Sequence, residues 1–255
     1  MTVASAASRG SSALASTRAA QRFWERYFAV YDTLNEAAPY QDMIARQVAR
    51  LAPSTGARVL DAGTGSGNLA AALAQKGADV VGIDFCEPAL DIARRKAPGA
   101  TFLFGDLTRP LPFADGSFDA VSCSAVLHVL TREDQRAAIA ELARVLRPGG
   151  RLVVTAFAEG FSALSVYAET LREARRARGM IGCIAFGLRY SWNTARILYY
   201  VSRIQRQHRR GAYAYVDEAA LNALLASAAL DSQSMERTLA GQCITATARK
   251  PGSRE

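Results

Sequence analysis

At 255 residues, half of them apolar, the chain is long enough for one domain, or one domain carrying an insertion, around a substantial core. No run of eighteen apolar residues occurs, so no membrane-spanning helix is expected, and two histidines with four scattered cysteines (Cys86, Cys123, Cys183, Cys243) argue against metal sites and disulfides and for free thiols in a reducing cytoplasm. The formal net charge is +8, and residues 169–210, with ten arginines and two acids, account for all of it.

Residues 1–22 are rich in Ser, Ala and Thr and contain arginine but no acid. The composition imitates an organelle transit peptide, lacks the apolar stretch of a secretory signal, and reads as a disordered tail. The domain is expected over 23–255. From 23 to 51 the pattern turns helical, and Phe23, Trp24, Tyr27, Phe28 and Tyr31 form an aromatic stripe on one face. That stripe either packs on the sheet or brings Tyr27 or Tyr31 to a site.

The strand expected at 58–61 ends in Asp61 and runs into Gly63, Thr64, Gly65, Ser66, Gly67 and Asn68, with a helix following over 67–75. Glycines allow close backbone approach to a ligand, and a helix N-terminus offers free N–H groups. The spacing excludes two ligand classes: a dinucleotide fingerprint needs glycine where Asn68 stands, and no phosphate-loop lysine is present. A second short strand, 79–83, runs into Asp84 about twenty residues beyond the glycines, the spacing at which a carboxylate meets ribose hydroxyls. The expected ligand therefore carries a ribose without a 2′-phosphate.

Further elements follow in alternation: helix 88–96, strand 101–104, strand 118–124, helix 132–146 opened by a Thr131/Asp134 capping box, and strand 151–156, with Pro148-Gly149-Gly150 expected to stop the helix. Strands alternating with helices imply a parallel sheet covered on both faces, with ligands at the carboxyl ends of the strands. Beyond it, 180–188 reads as apolar and flexible. Residues 192–207 read as an amphipathic helix, with Ile197, Tyr200, Val201 and Ile204 on one face and Arg196, Arg203, Arg206 and Arg210 on another. Asp217 caps a helix over 218–230, and 232–238 and 241–249 read as two final strands.

In these blocks the chain resembles class I S-adenosylmethionine-dependent methyltransferases of the small-molecule branch that includes the ubiquinone and menaquinone C-methyltransferases. The similarity rests on VLDAGTGSG, VVGIDFCEPAL, FLFGDLTRPLPFADGSFDAV and RVLRPGGRLVV, in order, over roughly 25–160. It implies a Rossmann-like, doubly wound, mostly parallel seven-stranded sheet with the last strand antiparallel, and a helical substrate lid at 157–212 between strands five and six. It implies S-adenosylmethionine as cofactor, with Asp61 toward the methionine end, backbone of Gly63, Thr64, Gly65, Gly67 and Asn68 around it, Asp84 and Phe85 at the ribose, Asp106 and Leu107 at the adenine, and Ser124 touching the cofactor. It places Tyr31, of a Tyr31-Asp32 pair, near the sulfonium. One departure is Ala229-Leu230, where similar chains have Gly-Phe.

Methyl transfer asks mainly for positioning, and a base only where the nucleophile must lose a proton. His128, just after the fourth strand, is the candidate base, though a histidine that merely packs fits the sequence equally. His208, in a basic run, reads as surface. For the arginine-rich lid three readings compete: a solvated arginine face; a lipophilic pocket with arginines at a membrane surface (192–210) or an anionic substrate group; and nucleic-acid contact, disfavoured because 122–128 lacks the N-P-P-Y-like run of base methyltransferases. The expected substrate is a small hydrophobic metabolite with an oxygen or carbon nucleophile. The alternatives are a nucleic-acid methyltransferase and a cofactor-binding protein that does not methylate.

Overall fold

The computed structural model describes residues 18–252. Residues 1–17 of the expected tail lie outside them, and Arg18 already opens the first helix, α1 (Arg18–Tyr31). A 3₁₀ turn (Asp32–Glu36) leads into α2 (Ala38–Leu51). Then come β1 (Arg58–Ala62), α3 (Asn68–Ala74), β2 (Asp79–Asp84), α4 (Glu87–Lys96), β3 (Thr101–Phe104), β4 (Phe118–Ser124), α5 (Arg132–Val145) and β5 (Leu146–Phe157). The chain finishes with α6 (Ala163–Arg209), α7 (Glu218–Ser227), β6 (Asp231–Thr238) and β7 (Cys243–Arg249).

The strands form one seven-stranded sheet in the order β3-β2-β1-β4-β5-β7-β6. All neighbouring pairs from β3 to β5 are parallel, and β7 runs antiparallel to both β5 and β6. This is the expected doubly wound fold. Strand alternation builds its two cores. Val59 and Val80 face a cluster with Val48 and Leu51 of α2, Leu69 and Leu73 of α3, and Leu90 of α4. Their neighbours Leu60 and Val81 face the opposite cluster, with Ile139 and Leu142 of α5 and Leu221 and Leu225 of α7. Strand order reverses between β1 and β4, so the loops after these two strands diverge and leave a crevice at their carboxyl ends.

Caps fall where the sequence puts them. Thr131 accepts from the Asp134 N–H at 3.2 Å and Asp217 from the Ala220 N–H at 2.7 Å. Pro148-Gly149-Gly150 follows the end of α5 at Val145 and falls in the register shift between Leu146 and Arg151, after which β5 pairs regularly with β4. The Lys250 ammonium caps the last carbonyls, donating to those of Ala143 and Leu146 at 2.8 and 2.7 Å, while the Gly149 N–H donates to the Lys250 carbonyl at 2.9 Å. Two expectations need correction. Residues 180–188 are helical, part of α6, because Phe186 is buried and Gly187 packs on Leu171 and Tyr167. His208 is half-buried, its ring 4.3 Å from that of Tyr215 and its Nδ1 2.9 Å from the Tyr213 carbonyl.

The Ala229-Leu230 departure also has a structural cost. Ala229 has φ 54°, in the left-handed region that favours glycine, while Leu230 is buried. Ala229→Gly is therefore expected to stabilise the fold by about 1 kcal/mol, since the strain relieved outweighs the glycine's extra chain entropy. A thermal melt no higher than that of the parent would contradict this.

Candidate active site

Both acids that follow the central strands are buried at the crevice. Asp61 accepts hydrogen bonds from Thr64 Oγ1 and Ser122 Oγ, each at 2.7 Å, and burial raises its pKa. Asp84 accepts from the N–H groups of Gly65 and Cys86, each at 2.9 Å. Burial pushes its carboxyl up to about 6 from an ordinary 3.8, with the nearby Asp61 charge adding to the effect.

Between the two acids the loop turns through left-handed glycines, with φ 74° at Gly63, 53° at Gly65 and 78° at Gly67. At Gly67 a side chain would also collide with α4, since a Cβ there would stand 2.7 Å from the Ala93 Cβ and 2.9 Å from its Cα. At Gly65 the ring of Phe28 occupies the space above the backbone, a Cβ falling 2.7 Å from Phe28 Cε1. The stripe on α1 thus packs over the glycine loop and not simply on the sheet.

A polar latch fastens this cap. The Asn68 amide donates to the Tyr40 hydroxyl at 3.1 Å, and its oxygen accepts from Asn35 and Lys96. Lys96 also donates to Asp32 at 2.8 Å, and Ser66 donates to the same oxygen at 2.7 Å. Asn68, Asp32, Asn35 and Lys96 thereby tie the 3₁₀ turn to the N-terminus of α3. Sequence pattern singled out only Asn68 and, within its Tyr31-Asp32 pair, Asp32.

Two adjoining cavities open at this place. The smaller, about 70 Å³, is lined by Asp61, Gly63, Thr64, Gly65, Asn68 and Ser124. The other, about 100 Å³, is almost wholly apolar and reaches from Met43 and Phe161 to Phe186, Tyr190 and Ile197 of α6. Tyr27, Tyr31, Tyr40, Ala125, His128 and Phe157 border both. Ala125 follows β4 with φ 56°, a strained turn of the kind found at functional sites.

His128 is buried, with its ring edge-on to Phe157 at 4.5 Å and parallel to Tyr215 at 6.3 Å. Its Nδ1 has no hydrogen-bond partner among the described residues, and desolvation lowers its pKa to about 3. Tyr31 is half-buried at the junction, and burial together with neighbouring Tyr40 holds its pKa well above the usual value, so its hydroxyl stays neutral. Ser124 accepts from Gln47 Nε2 at 3.0 Å, and the same nitrogen donates to Thr155 at 2.9 Å. Gln47 escaped notice in the sequence, although a glutamine between Met43, Ile44, Val48 and Leu51 on an apolar helix face signals a buried amide.

Not every expected residue faces this space. Gly67, Asp84 and Phe85 lie around the loop but outside the cavity lining; the Phe85 ring packs edge-on against Trp24 at 6.0 Å. Asp106 caps its own turn, accepting from the Thr108 N–H and hydroxyl at 2.9 and 2.8 Å, and Leu107 is buried in the core beside Gly63.

Comparison with known proteins points to a methyltransferase domain. The sequence profile of a methyltransferase domain matches residues 60–154. A demethylmenaquinone methyltransferase from Beutenbergia cavernae is 48% identical over 102 residues, covering 40% of this chain and 41% of the relative. The match thus spans about two fifths of that relative's length. Among solved structures, the N-methyltransferase NodS from Bradyrhizobium japonicum, in complex with S-adenosyl-l-homocysteine, superposes with TM-score 0.63 at 16% identity, over 91% of this chain and 98% of that one. Magnesium protoporphyrin IX methyltransferase from Synechocystis, with bound S-adenosyl-l-homocysteine, gives TM-score 0.60 at 23% identity, over 89% and 94%. At these identities the superpositions show a shared fold. The profile match places a methyltransferase domain at residues 60–154, and over about that region the sequence is similar to quinone-biosynthesis methyltransferases.

Proposed function

We propose that the protein transfers a methyl group from S-adenosylmethionine to an oxygen or carbon of a small lipophilic molecule of the quinone class or similar. The observation that carries this reading is the shared wall between the two cavities. A loop-side cavity with Asp61 and the hydroxyls of Thr64 and Ser124 meets an apolar one at Tyr27, Tyr31, Tyr40, Ala125, His128 and Phe157. The donor set fits the cofactor: a carboxylate on each side of a glycine loop, and aromatic faces where a sulfonium would be attracted. When bound, S-adenosylmethionine supplies an electrophilic methyl group whose leaving group is a neutral thioether.

The chain's own residues do the rest. Asp84 would accept from the ribose hydroxyls, Asp61 would hold the amino group directly or through water, and Asp106 with Leu107 would meet the adenine edge. The small cavity, about 70 Å³, falls short of the roughly 300–1,000 Å³ of ordinary ligand sites. The apolar cavity aligns the acceptor behind the methyl, and His128 takes the acceptor's proton where one must leave. Four unpaired cysteines suit a cytoplasmic protein, and no helix among the described residues is long and apolar enough to cross a membrane.

The test is methyl-labelled S-adenosylmethionine offered with a lipid-soluble metabolite extract in one tube and bulk RNA in another. Label in the extract is expected. Label in RNA would overturn the substrate class, and label in neither, with cofactor binding confirmed, would favour a protein that binds the cofactor without methylating.

A further inference from the structure

The long helix α6 is a hairpin. Gly179 breaks it with φ 68° and ψ −173°, and the two arms return on each other, the Cys183 thiol lying 3.5 Å from the Leu171 carbonyl. The second arm has two apolar faces. Phe186, Tyr190 and Ile197 are buried and line the apolar cavity. On the opposite side Ile181, Ile184, Leu188 and Trp192 are 85%, 55%, 73% and 73% exposed. At 3.6 residues per turn these four, with exposed Tyr199, fall within an arc of roughly 80°.

Charge frames that stripe. Arg189 and Arg196 border it, and Arg175 and Arg178 stand at the hairpin turn. The hairpin's two acids are already paired, Glu169 with Arg172 and Glu173 with Arg176, and none of Arg175, Arg178, Arg189 and Arg196 has an ion-pair partner among the described residues. A contiguous exposed apolar stripe marks an interaction surface. Tryptophan and isoleucine flanked by guanidinium groups without an ion-pair partner, Arg189 lying over the Tyr190 ring at 5.5 Å, match one partner closely, an anionic phospholipid surface. The rings and aliphatic chains enter the acyl boundary while the arginines meet the phosphates.

We propose that the α6 hairpin tip, residues 175–192, docks this protein shallowly on anionic membranes, with the Ile181–Ile184–Leu188–Trp192 stripe inserted. Apolar exposure thus lies upstream of the basic stretch at 192–210 that the sequence pointed to. Because the inner face of the same helix lines the apolar cavity, docking sets that cavity against the phase in which a lipophilic acceptor is dissolved. The delivery role rests on the methyl-transfer reading; the docking does not.

Vesicle co-sedimentation tests it, with phosphatidylcholine vesicles compared with vesicles containing one third phosphatidylglycerol, and tryptophan emission recorded alongside. The protein is expected to partition onto the anionic vesicles with a blue shift in emission, and to release as salt rises. Leu188→Gln with Trp192→Gln is expected to lower partitioning by roughly tenfold or more. Arg189→Ala with Arg196→Ala is expected to lower it by about fivefold per arginine, with the thermal melt of both variants unchanged. A protein that stays in solution with both vesicle types at low ionic strength would overturn the proposal. So would retention that survives both double variants, or a dimer by light scattering that the Leu188/Trp192 variant converts to monomer. Vesicle binding needs no methyl donor, so its failure leaves the methyl-transfer reading standing, and the converse also holds.

Discussion

Replacing Asp84 with alanine is expected to weaken S-adenosylmethionine binding by on the order of 10²–10⁴-fold, because hydrogen bonds to a charged acceptor contribute about 1.5–3 kcal/mol each and two ribose hydroxyls would lose theirs. The same change strips the acceptor from the Gly65 and Cys86 N–H groups, so some stability goes with it. Asp84→Asn is the sharper probe. It keeps the shape and one acceptor oxygen but removes the charge.

The pH dependence gives a second handle on this residue. The folded carboxyl titrates near 6, above its ordinary 3.8. Between those values the folded, unliganded protein holds a proton that the unfolded chain has released. Stability therefore falls as pH rises through that window, while the ionised form that accepts ribose hydroxyls becomes populated. Cofactor affinity of the parent should drop as pH falls below about 6, and that of Asp84→Asn should stay flat. Calorimetric titration measures both; unchanged affinity in Asp84→Ala would remove the ribose assignment.

Legibility differed by region for physical reasons. The sheet was readable because its strands are short apolar runs that end in acids or glycine turns, as at 58–62 and 79–84, and because the intervening helices carry ordinary caps such as Thr131 and Asp217. The cap on the last carbonyls of α5 was not, because Lys250 supplies it from more than a hundred residues away. Residues 180–188 looked flexible for want of polar punctuation; what orders them is a partner arm contributing Leu171 and Tyr167. At the site, Asp61, Asp84 and the glycines stood out by spacing. Gln47 and Lys96 did not, since each acts through a tertiary contact, created by the packing of α2 on β4 and β5 and of α4 against the loop.

His128→Ala is expected to reduce turnover by about 10²–10⁴-fold, the usual worth of a positioned base, while cofactor affinity moves little. The structure constrains how this histidine works. Its ring is desolvated between Phe157 and Tyr215, and its pKa, lowered to about 3, keeps the imidazole neutral in the folded protein throughout the physiological range. As a base it would start neutral and be weak toward water, and would gain strength only beside an acceptor that becomes anionic in a space that excludes solvent. Two consequences separate this from a packing role. At saturating cofactor, turnover should show no acidic limb near pH 6.5, because this group protonates only far below it. His128→Phe, which fills the same volume, should be as slow as His128→Ala while melting closer to the parent. A phenylalanine variant with parental turnover would make His128 a wall of the cavity and leave the acceptor's proton to water.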